Sequence, residues 1–385
     1  MISFYIKEKI MNENIREKEI VKTSFLGIIG NILLVIFKAF VGIIAGSIAI
    51  VMDALNNLTD ALSSLITIIG TKLSQLRPNK KHPYGYGRIE YITSSLVATL
   101  ILFAGGAAIV ESIKSLIEYY KTGTVPTFEV YSLIIIAVAI VIKILIGLLF
   151  KYKGKKTSSD ALAASGTDAL FDSILSLSTL ISAIFIKYLG FYIEGYLGIV
   201  IGIFILKSGL EVMKESLSDI VGERYDKDFI NEIKKEILEI DEVKGVYDLI
   251  INSYGHNRNI ASVHICVRDD LKTKEIQKIE RKITYLMYFK YNTIMTVGVY
   301  GEGISDEKSK NIYNNILNII HKYQTVLQIH GFYLDDEANL LNFDLVISFD
   351  DDKPLETIEA IKKEVEGLNT GYNVFIQYDQ DFSLS

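Results

Sequence analysis

Long apolar runs fill the chain up to about residue 215, and the remainder alternates between apolar and polar positions. Six of the runs are each about as long as a helix that crosses a bilayer, which needs ~20 residues. A large water-soluble helical core would require a polar face on each helix, and runs such as YSLIIIAVAIVIKILIGLLF have none. The pattern therefore predicts six transmembrane helices, at residues 24–45, 48–72, 91–113, 130–150, 159–186 and 191–213.

Amphipathic and alternating segments follow the apolar part, and they occur twice in the same order. Residues 226–300 predict helix, strand, strand, helix, strand, with the hairpin turn at Gly255, Asn257 and Asn259. Residues 305–381 repeat that order, so we predict a duplicated unit. The fold class is then a polytopic α-helical membrane protein with a duplicated α+β C-terminal part. The expected domains are a cytosolic N-terminal arm (1–23), a six-helix transmembrane domain (24–215), a first α+β domain (216–302) and a second one (303–385).

Composition and charge narrow the function classes. Half of the 385 residues are hydrophobic, and the formal net charge of −6 argues against a nucleic-acid partner. Cys266 is the single cysteine, which excludes an internal disulfide. The first apolar run follows a stretch rich in Glu and Lys and lacks a cleavage site of small residues, so we do not expect a signal peptide. We expect the lipid bilayer to surround the first part of the chain.

Lys and Arg are unevenly distributed among the predicted loops, and this asymmetry predicts the orientation. Cytoplasmic loops of membrane proteins carry an excess of these residues. The basic segments are the N-terminal arm, the loop after the second predicted helix and the loop KYKGKK after the fourth, whereas the alternate loops are poorer in Lys and Arg. Both termini are therefore expected in the cytoplasm, with the chain crossing the cell membrane several times.

Carboxylates interrupt two of the predicted membrane helices. Asp53, Asn56 and Asp60 are spaced three and four apart, which places them on one helix face. Asp168 and Asp172 lie one turn apart in the fifth predicted helix. An ionised Asp at mid-membrane costs roughly 2.5–3.5 kcal/mol, and neighbouring carboxylates also repel each other. A cation or shared protons must therefore compensate.

Hydrogen bonding between helices by small polar residues is the structural alternative. It accounts for the nearby serines but poorly for Asp168 and Asp172, because the other predicted helices offer too few cationic partners. Lys38 and Lys143 fall within spans, and we expect both to snorkel toward an interface or a cavity. We therefore predict that one amide oxygen and three carboxylates face one another as a metal site, made of Asn56, Asp60, Asp168 and Asp172.

A strongly anionic site made only of oxygen ligands favours hard or borderline divalent ions. Neither stretch contains histidine or cysteine, which weakens the case for zinc. Adjacent carboxylates can take up protons when the metal leaves, so metal–proton exchange is chemically natural. We expect neither ATP-driven transport nor an enzyme, because the phosphate-binding motif GxxxxGK[ST] and a nucleophile accompanied by a base are both missing from the sequence.

Three stretches, in this order, resemble the cation diffusion facilitator family: GSIAIVMDALNNLTDALSSL, HPYGYGRIEYI and ALAASGTDALFDSILS. The resemblance covers about residues 20–300. It implies export of divalent metal from the cytosol by proton antiport, as a homodimer formed through the membrane and cytosolic domains. It also implies that the four residues of the predicted site bind the transported ion. The first α+β domain resembles the family's ferredoxin-like dimerisation domain, and the second domain duplicates it.

The ligand pairs Asn-Asp and Asp-Asp resemble the manganese-exporting branch of the family. Mn²⁺ is therefore the favoured cargo, with Fe²⁺, Zn²⁺, Co²⁺ and Cd²⁺ as open alternatives. The resemblance implies protons as the counter-ion and no resident cofactor.

The resemblance also points to further residues. The family's second metal site, between the second and third helices, falls near His82, with Asp53 as another candidate, and a loop hydrogen bond is the competing interpretation of His82. Arg88 and Asp219 match an interlocking ion pair between the membrane and cytosolic parts. Two histidines are candidates for a cytosolic metal site, although ordinary turn and sheet positions explain them as well: His256 and His264.

Two other function classes stay open at this point. A metal-gated cation channel would use similar carboxylates without proton coupling. A membrane-bound metal sensor would bind metal in its cytosolic part without flux. The second α+β domain is a departure from many family members, which stop after one, and it could widen the dimer contact, add a metal-sensing surface or cap the first domain.

Overall fold

The computed structural model describes residues 2–45, 48–123, 130–189, 193–255 and 258–382. The chain divides into two compact units. One comprises Met1–Glu223 with Tyr254–Asn257, and the other comprises Arg224–Ser253 with Arg258–Ser385. We refer to them as the membrane unit and the C-terminal unit.

Long helices make up the membrane unit. They are α1 (Ile2–Ala45), α2 (Ile48–Ser74), α3 (Ile89–Thr122), α4 (Val130–Thr157), α5 (Asp160–Leu189) and α6 (Glu194–Val221). Within the described residues, the helical segments long and apolar enough to cross a membrane are Ile15–Phe40, Ile89–Thr122, Leu133–Thr157 and Gly195–Val221. Four of the six predicted spans are thus confirmed by length and composition. The spans of α2 and α5, the helices that carry the predicted ligands, stay a prediction.

The predicted N-terminal arm is part of α1, which runs unbroken from Ile2. Arg16, within that arm, binds the rest of the membrane unit. Its Nη2 donates to Glu90 Oε1 at 2.6 Å, at the start of α3, and the side chains of both residues are less than 10% exposed. Its Nε donates to the Thr157 carbonyl at 2.6 Å, and Nη2 also donates to the Ser158 carbonyl at 3.0 Å. One guanidinium therefore joins α1, α3 and the turn between α4 and α5.

Glycines bring the backbones of α4 and α5 into contact. A Cβ atom added to Gly166 would lie 2.6 Å from the backbone nitrogen of Lys151, and one added to Gly154 would lie 2.6 Å from that of Ala163. Small residues allow such close approach between membrane helices. The close packing of these two helices sets which side chains of α4 can reach α5.

The C-terminal unit contains the predicted order of elements twice. The first repeat has α7 (Lys227–Leu238), β1 (Gly245–Ser253), β2 (Asn259–Val267), α8 (Thr273–Lys290) and β3 (Thr293–Gly301). The second repeat has α9 (Glu307–Ile320), β4 (Val326–Asp335), β5 (Leu340–Ile347), α10 (Pro354–Glu366) and β6 (Asn373–Gln380). The predicted duplication of helix and strand order is confirmed. Asn259, predicted in the hairpin turn, is instead the first residue of β2, and Asn257 lies outside the described residues.

Each repeat folds into a three-stranded sheet with two helices. In both sheets the first two strands are antiparallel and the third is parallel to the second. Alternate strand residues face the helices, and fully buried side chains such as Ile265, Met287, Phe343 and Ile361 form two separate cores. The observed class is an α+β unit with two cores.

A bulge interrupts the first strand of each repeat. The register shifts between Tyr247 and Ile250 in β1, and between His330 and Tyr333 in β4. Each bulge holds one residue in the left-handed region, Asp248 with φ +49° and Gly331 with φ +61°. A bulge adds a residue to one strand and redirects the side chains beside it.

Candidate metal centre

The ammonium group of Lys143, on α4, lies between carboxylates of two other helices. Its Nζ donates a 2.8 Å hydrogen bond to Asp172 Oδ2 on α5 and a second hydrogen bond to Asp60 Oδ2 on α2. The Lys143 side chain is 4% exposed, and each carboxylate is 13% exposed. The expectation that the other helices lack a cation for these carboxylates is therefore wrong. Lys143 does not snorkel away from them, because burying an ammonium requires partners of opposite charge.

Asp60 and Asp168 line the same small cleft, so the structure brings carboxylates of α2 and α5 together. The hydroxyl oxygens of Ser63 and Ser165, 3.0 Å apart, join the two helices beside the cleft. Both polar and apolar side chains line it, from Asn31, Asp60, Ser63, Ser64, Ile146, Phe150, Ser165, Asp168 and Ala169.

Asp60 and Asp172 contact an ammonium, and the described carboxylates of the membrane unit do not form a closed set of metal ligands. Among the described residues, the one group of three or more His, Cys, Asp or Glu with all ligand atoms within 4.8 Å of one another lies in the C-terminal unit. In the membrane unit, Lys143 binds both Asp60 and Asp172. A divalent ion that used these two carboxylates would have to displace the ammonium from them.

Two predicted ligands cannot be placed in the same detail. Asp53 and Asn56 belong to α2, but their side chains lie outside the described part of the structure. The helical backbone keeps Asn56 one turn from Asp60, which is the spacing on which the prediction depends.

Asn31 is a polar residue of the cleft that was not predicted. It lies on α1, is 3% exposed, and its Oδ1 has no hydrogen-bond partner in the described contacts. An amide oxygen is a suitable ligand for hard cations, so Asn31 could complete an oxygen-rich site. The available signal was a lone Asn in the apolar run GIIGNILLVIF, because polar groups are costly in membrane helices.

His82 lies exposed in the loop between α2 and α3. Its backbone N–H donates to Asn79 Oδ1 at 2.8 Å, and Asn79 Nδ2 donates to the Tyr86 hydroxyl at 2.7 Å. The His82 and Tyr86 ring centroids are 4.7 Å apart. These contacts hold the loop without a metal, and the second site at His82 and Asp53 stays a prediction.

The other predicted residues outside the cleft have mixed outcomes. The predicted ion pair between Arg88 and Asp219 stays untested, and the Arg88 guanidinium lies 4.5 Å from the ring centroid of Tyr254. His256 lies outside the described residues. His264, on β2, has Nδ1 at 2.8 Å from Asp248 Oδ2 on β1.

Asp248 also approaches a second imidazole, that of His330. His330 Nε2, on β4, lies 2.9 Å from Asp248 Oδ2 and 3.3 Å from Asp379 Oδ2 on β6. Burial alone would raise the pKa of Asp248, but the imidazoles of His264 and His330 outweigh it and hold that pKa well below its usual range. Burial opposes protonation of His330, but Asp248 and Asp379 outweigh it and raise the pKa of His330 to about 9.

Comparison with known families identifies both parts of the chain. Residues 24–221 match the cation efflux transmembrane domain, and residues 225–299 match the cytoplasmic domain of cation efflux proteins. The chain belongs to the cation efflux family, the cation diffusion facilitators. It is a divalent metal efflux transporter of the membrane and not an enzyme. The second repeat lies beyond both matched regions.

Several relatives align over most of their own length. A transporter of Methanocaldococcus jannaschii is 28% identical over 263 residues, which cover 68% of this chain and 91% of the relative. The manganese efflux system protein MneP of Bacillus subtilis is 24% identical over 279 residues, covering 70% and 91%. The cadmium, cobalt and zinc/H(+)-K(+) antiporter of Bacillus subtilis is 24% identical over 281 residues, covering 73% and 88%.

Proposed function

We propose that this transporter exports Mn²⁺ from the cytosol in exchange for protons. The observation that carries the proposal is the meeting of carboxylates from α2 and α5 around one buried cation, the Lys143 ammonium. A place built to hold a positive charge between two membrane helices is the simplest form of a cation transport site. The names of two relatives support the choice of cargo and counter-ion, one a manganese efflux protein and one a proton-coupled antiporter.

In the proposed mechanism, Lys143 and the transported ion alternate on the same oxygens. Without metal, the ammonium offsets part of the negative charge of Asp60 and Asp172 and weakens their mutual repulsion. A divalent ion that enters from the cytosol displaces it and binds the oxygens of the predicted set, Asn56, Asp60, Asp168 and Asp172. Carboxylate and amide oxygens suit Mn²⁺ better than they suit softer ions.

Proton uptake drives release in the proposed cycle. Protons that enter from the outside neutralise the carboxylates, which weakens the hold on the divalent ion, and the ammonium returns as the protons leave. Alternating access would come from rocking of the helices around the site. The proposal includes a homodimer in the cell membrane with six spans in each chain and both termini in the cytosol. The matched cytoplasmic domain and the distribution of Lys and Arg support these features.

Flux measurements in proteoliposomes test the proposal. Vesicles with an acidic interior should accumulate Mn²⁺ faster than vesicles without a pH gradient, because outward proton movement drives inward metal movement. Asp172→Ala should reduce that uptake at least about tenfold, which corresponds to about 1.4 kcal/mol. Glu111→Gln, which removes a carboxylate from the exposed surface of α3, is the matched control and should transport normally.

The same vesicles distinguish the competing functions. A panel of Mn²⁺, Fe²⁺, Zn²⁺ and Cd²⁺ tests the choice of cargo, and faster uptake of another metal would contradict the assignment of Mn²⁺. An uptake rate that is the same with and without a pH gradient would indicate a channel. If Asp172→Ala transports as well as the unaltered protein, the assigned site is wrong.

A further inference from the structure

A second cluster of metal-ligating side chains lies between the two repeats of the C-terminal unit. Asp248, His330 and Asp379 each offer one ligand atom, and these three atoms all lie within 4.8 Å of one another. Asp248 comes from β1 of the first repeat, whereas His330 and Asp379 come from β4 and β6 of the second. The cluster therefore needs both repeats, and two of its three residues lie outside the regions that match the family.

His330 is the central residue of this cluster. Its side chain is fully buried, at 0% exposure, and its Nε2 lies 2.9 Å from Asp248, 3.3 Å from Asp379 and 3.8 Å from Asp344, measured to Oδ2 in each case. Neither ring nitrogen makes a directed hydrogen bond, and Oδ2 of Asp379 is also buried without one. A single N–H can point at one acceptor only. Several carboxylate oxygens gathered around one imidazole nitrogen are better satisfied by a metal ion that binds them all.

The bulges of the two repeats bring these side chains together. Asp248 and Gly331 occupy the left-handed positions of the bulges in β1 and β4. A Cβ atom on Gly331 would lie 2.7 Å from Asp344 Oδ2, so a glycine there allows the carboxylate to approach. The Tyr247 ring stacks on His330 with centroids 4.9 Å apart and planes inclined by 8°. The imidazole is thus held in a fixed orientation.

Neighbouring polar groups orient the carboxylates from behind. His264 Nδ1 lies 2.8 Å from Asp248 Oδ2, and the Tyr300 hydroxyl donates to Asp344 Oδ2 at 3.0 Å. Metal-binding carboxylates in proteins commonly have such hydrogen-bonded supports, which fix their position and their basicity. Asp248 and Asp344 are thus held in place by hydrogen bonds, as metal-binding carboxylates commonly are, which distinguishes the cluster from acidic residues that are merely close together.

We propose that Asp248, His330 and Asp379 bind a divalent first-row transition-metal ion, which joins the two repeats. One imidazole and two carboxylates suit Mn²⁺, Fe²⁺, Co²⁺ or Zn²⁺, and Asp344 is close enough to act as a fourth ligand. This site is independent of the transport site, because its residues all belong to the C-terminal unit. Its binding can therefore be measured where transport is disabled.

Electron paramagnetic resonance with Mn²⁺ as the probe tests the proposal on the full-length protein in detergent. In an Asp172→Ala background, the protein should bind Mn²⁺ with an electron spin echo modulation from a directly coordinated ¹⁴N nucleus. His330→Gln should remove that modulation, because it removes the coordinating nitrogen. It should also weaken binding at this site at least about thirtyfold, which corresponds to about 2 kcal/mol. His321→Gln, which alters a histidine at the end of α9, should leave both unchanged.

Asp379→Asn provides a second test, because it keeps the side-chain shape. It should weaken Mn²⁺ binding at this site while the ¹⁴N modulation persists at saturating Mn²⁺. A melting temperature in the presence of chelator verifies that each variant is folded. The proposal is overturned if the Asp172→Ala protein gives no ¹⁴N modulation, if the modulation survives His330→Gln, or if Asp379→Asn binds Mn²⁺ normally. Absence of Mn²⁺ from the cluster would mean that His330 acts only as a protonated partner of the carboxylates.

Discussion

At the scale of single residues, the Lys143 ammonium already holds two of the oxygens that a transported cation would need. An ammonium and a divalent ion about 4 Å apart repel by roughly 8 kcal/mol at an effective dielectric constant of about 20, twice the value for two unit charges. Even a small part of that repulsion would weaken metal binding substantially. Lys143 therefore sets a limit on how tightly this site can hold its cargo.

Replacement of Lys143 by methionine, which keeps most of the unbranched side chain without its charge, should tighten Mn²⁺ binding at the membrane site at least about tenfold at pH 8. The ammonium that pairs with Asp60 and Asp172 is then gone, while both carboxylates remain. Isothermal titration in detergent measures the change, in the His330→Gln background so that only the membrane site contributes. Lys153→Met is the control on the same helix, since Lys153 pairs with Glu19 instead. Weaker binding by Lys143→Met would mean that the lysine positions the carboxylates and does not compete with the metal.

The carboxylates could be grouped from the sequence because helix periodicity is a local property. Residues four apart on one helix must share a face, so Asp168 and Asp172 could be grouped without knowledge of the fold. Lys143 could not be assigned in the same way. It stands alone in a run that is apolar on all sides, and only the packing of α4 against α5 decides which way its side chain points.

At the scale of the elements, Arg16 connects three parts of the membrane unit through one buried guanidinium. Arg16→Met should destabilise the protein by about 3–5 kcal/mol, because it leaves the Glu90 carboxylate buried without a counter-charge. The double variant Arg16→Met, Glu90→Gln should recover part of that loss. The fraction of protein that stays monodisperse after heating in detergent provides the measurement.

An exposed ion pair supplies the matched control for Arg16. Lys207 and Glu211 on α6 are 72% and 68% exposed at their side chains, so Lys207→Met should change stability by less than about 1 kcal/mol. Equal losses in Arg16→Met and Lys207→Met would show that burial of the Arg16 pair does not matter.

The β-bulges limit what the sequence alone can predict about the C-terminal unit. In β2, which is regular, alternation places His264 and Cys266 on the same face, and both side chains are less buried than their neighbours Val263, Ile265 and Val267. Alternation fails beyond a bulge, so the directions of Asp248 and His330 did not follow from their positions. The cluster also joins residues more than 80 positions apart in sequence, and no local pattern signals such a contact.

At the scale of the whole molecule, the duplication answers a question that the sequence left open. Both repeats belong to one compact unit, and contacts such as the Tyr247–His330 stack and the Tyr300–Asp344 hydrogen bond link them. The second repeat therefore covers part of the first, in addition to any role in dimer formation. At this contact the second repeat supplies His330, Asp344 and Asp379, and the first repeat supplies Asp248, which together are what the proposed metal site requires.

Deletion of the second repeat, by ending the chain after residue 302, should separate transport from stability. Mn²⁺ uptake into proteoliposomes should stay within about threefold of the full-length value, because the proposed transport ligands lie on α2 and α5. The C-terminal unit should melt several degrees lower, since a loss of about 1 kcal/mol shifts the melting temperature of a small domain by roughly 4–8 °C. Tyr300→Phe in the full chain, which removes only the hydrogen bond to Asp344, should give a smaller shift of the melting temperature.

Two results would contradict this separation. Loss of uptake by a truncated protein that is still folded would mean that the second repeat takes part in transport. An unchanged melting temperature would mean that the two repeats do not stabilise each other.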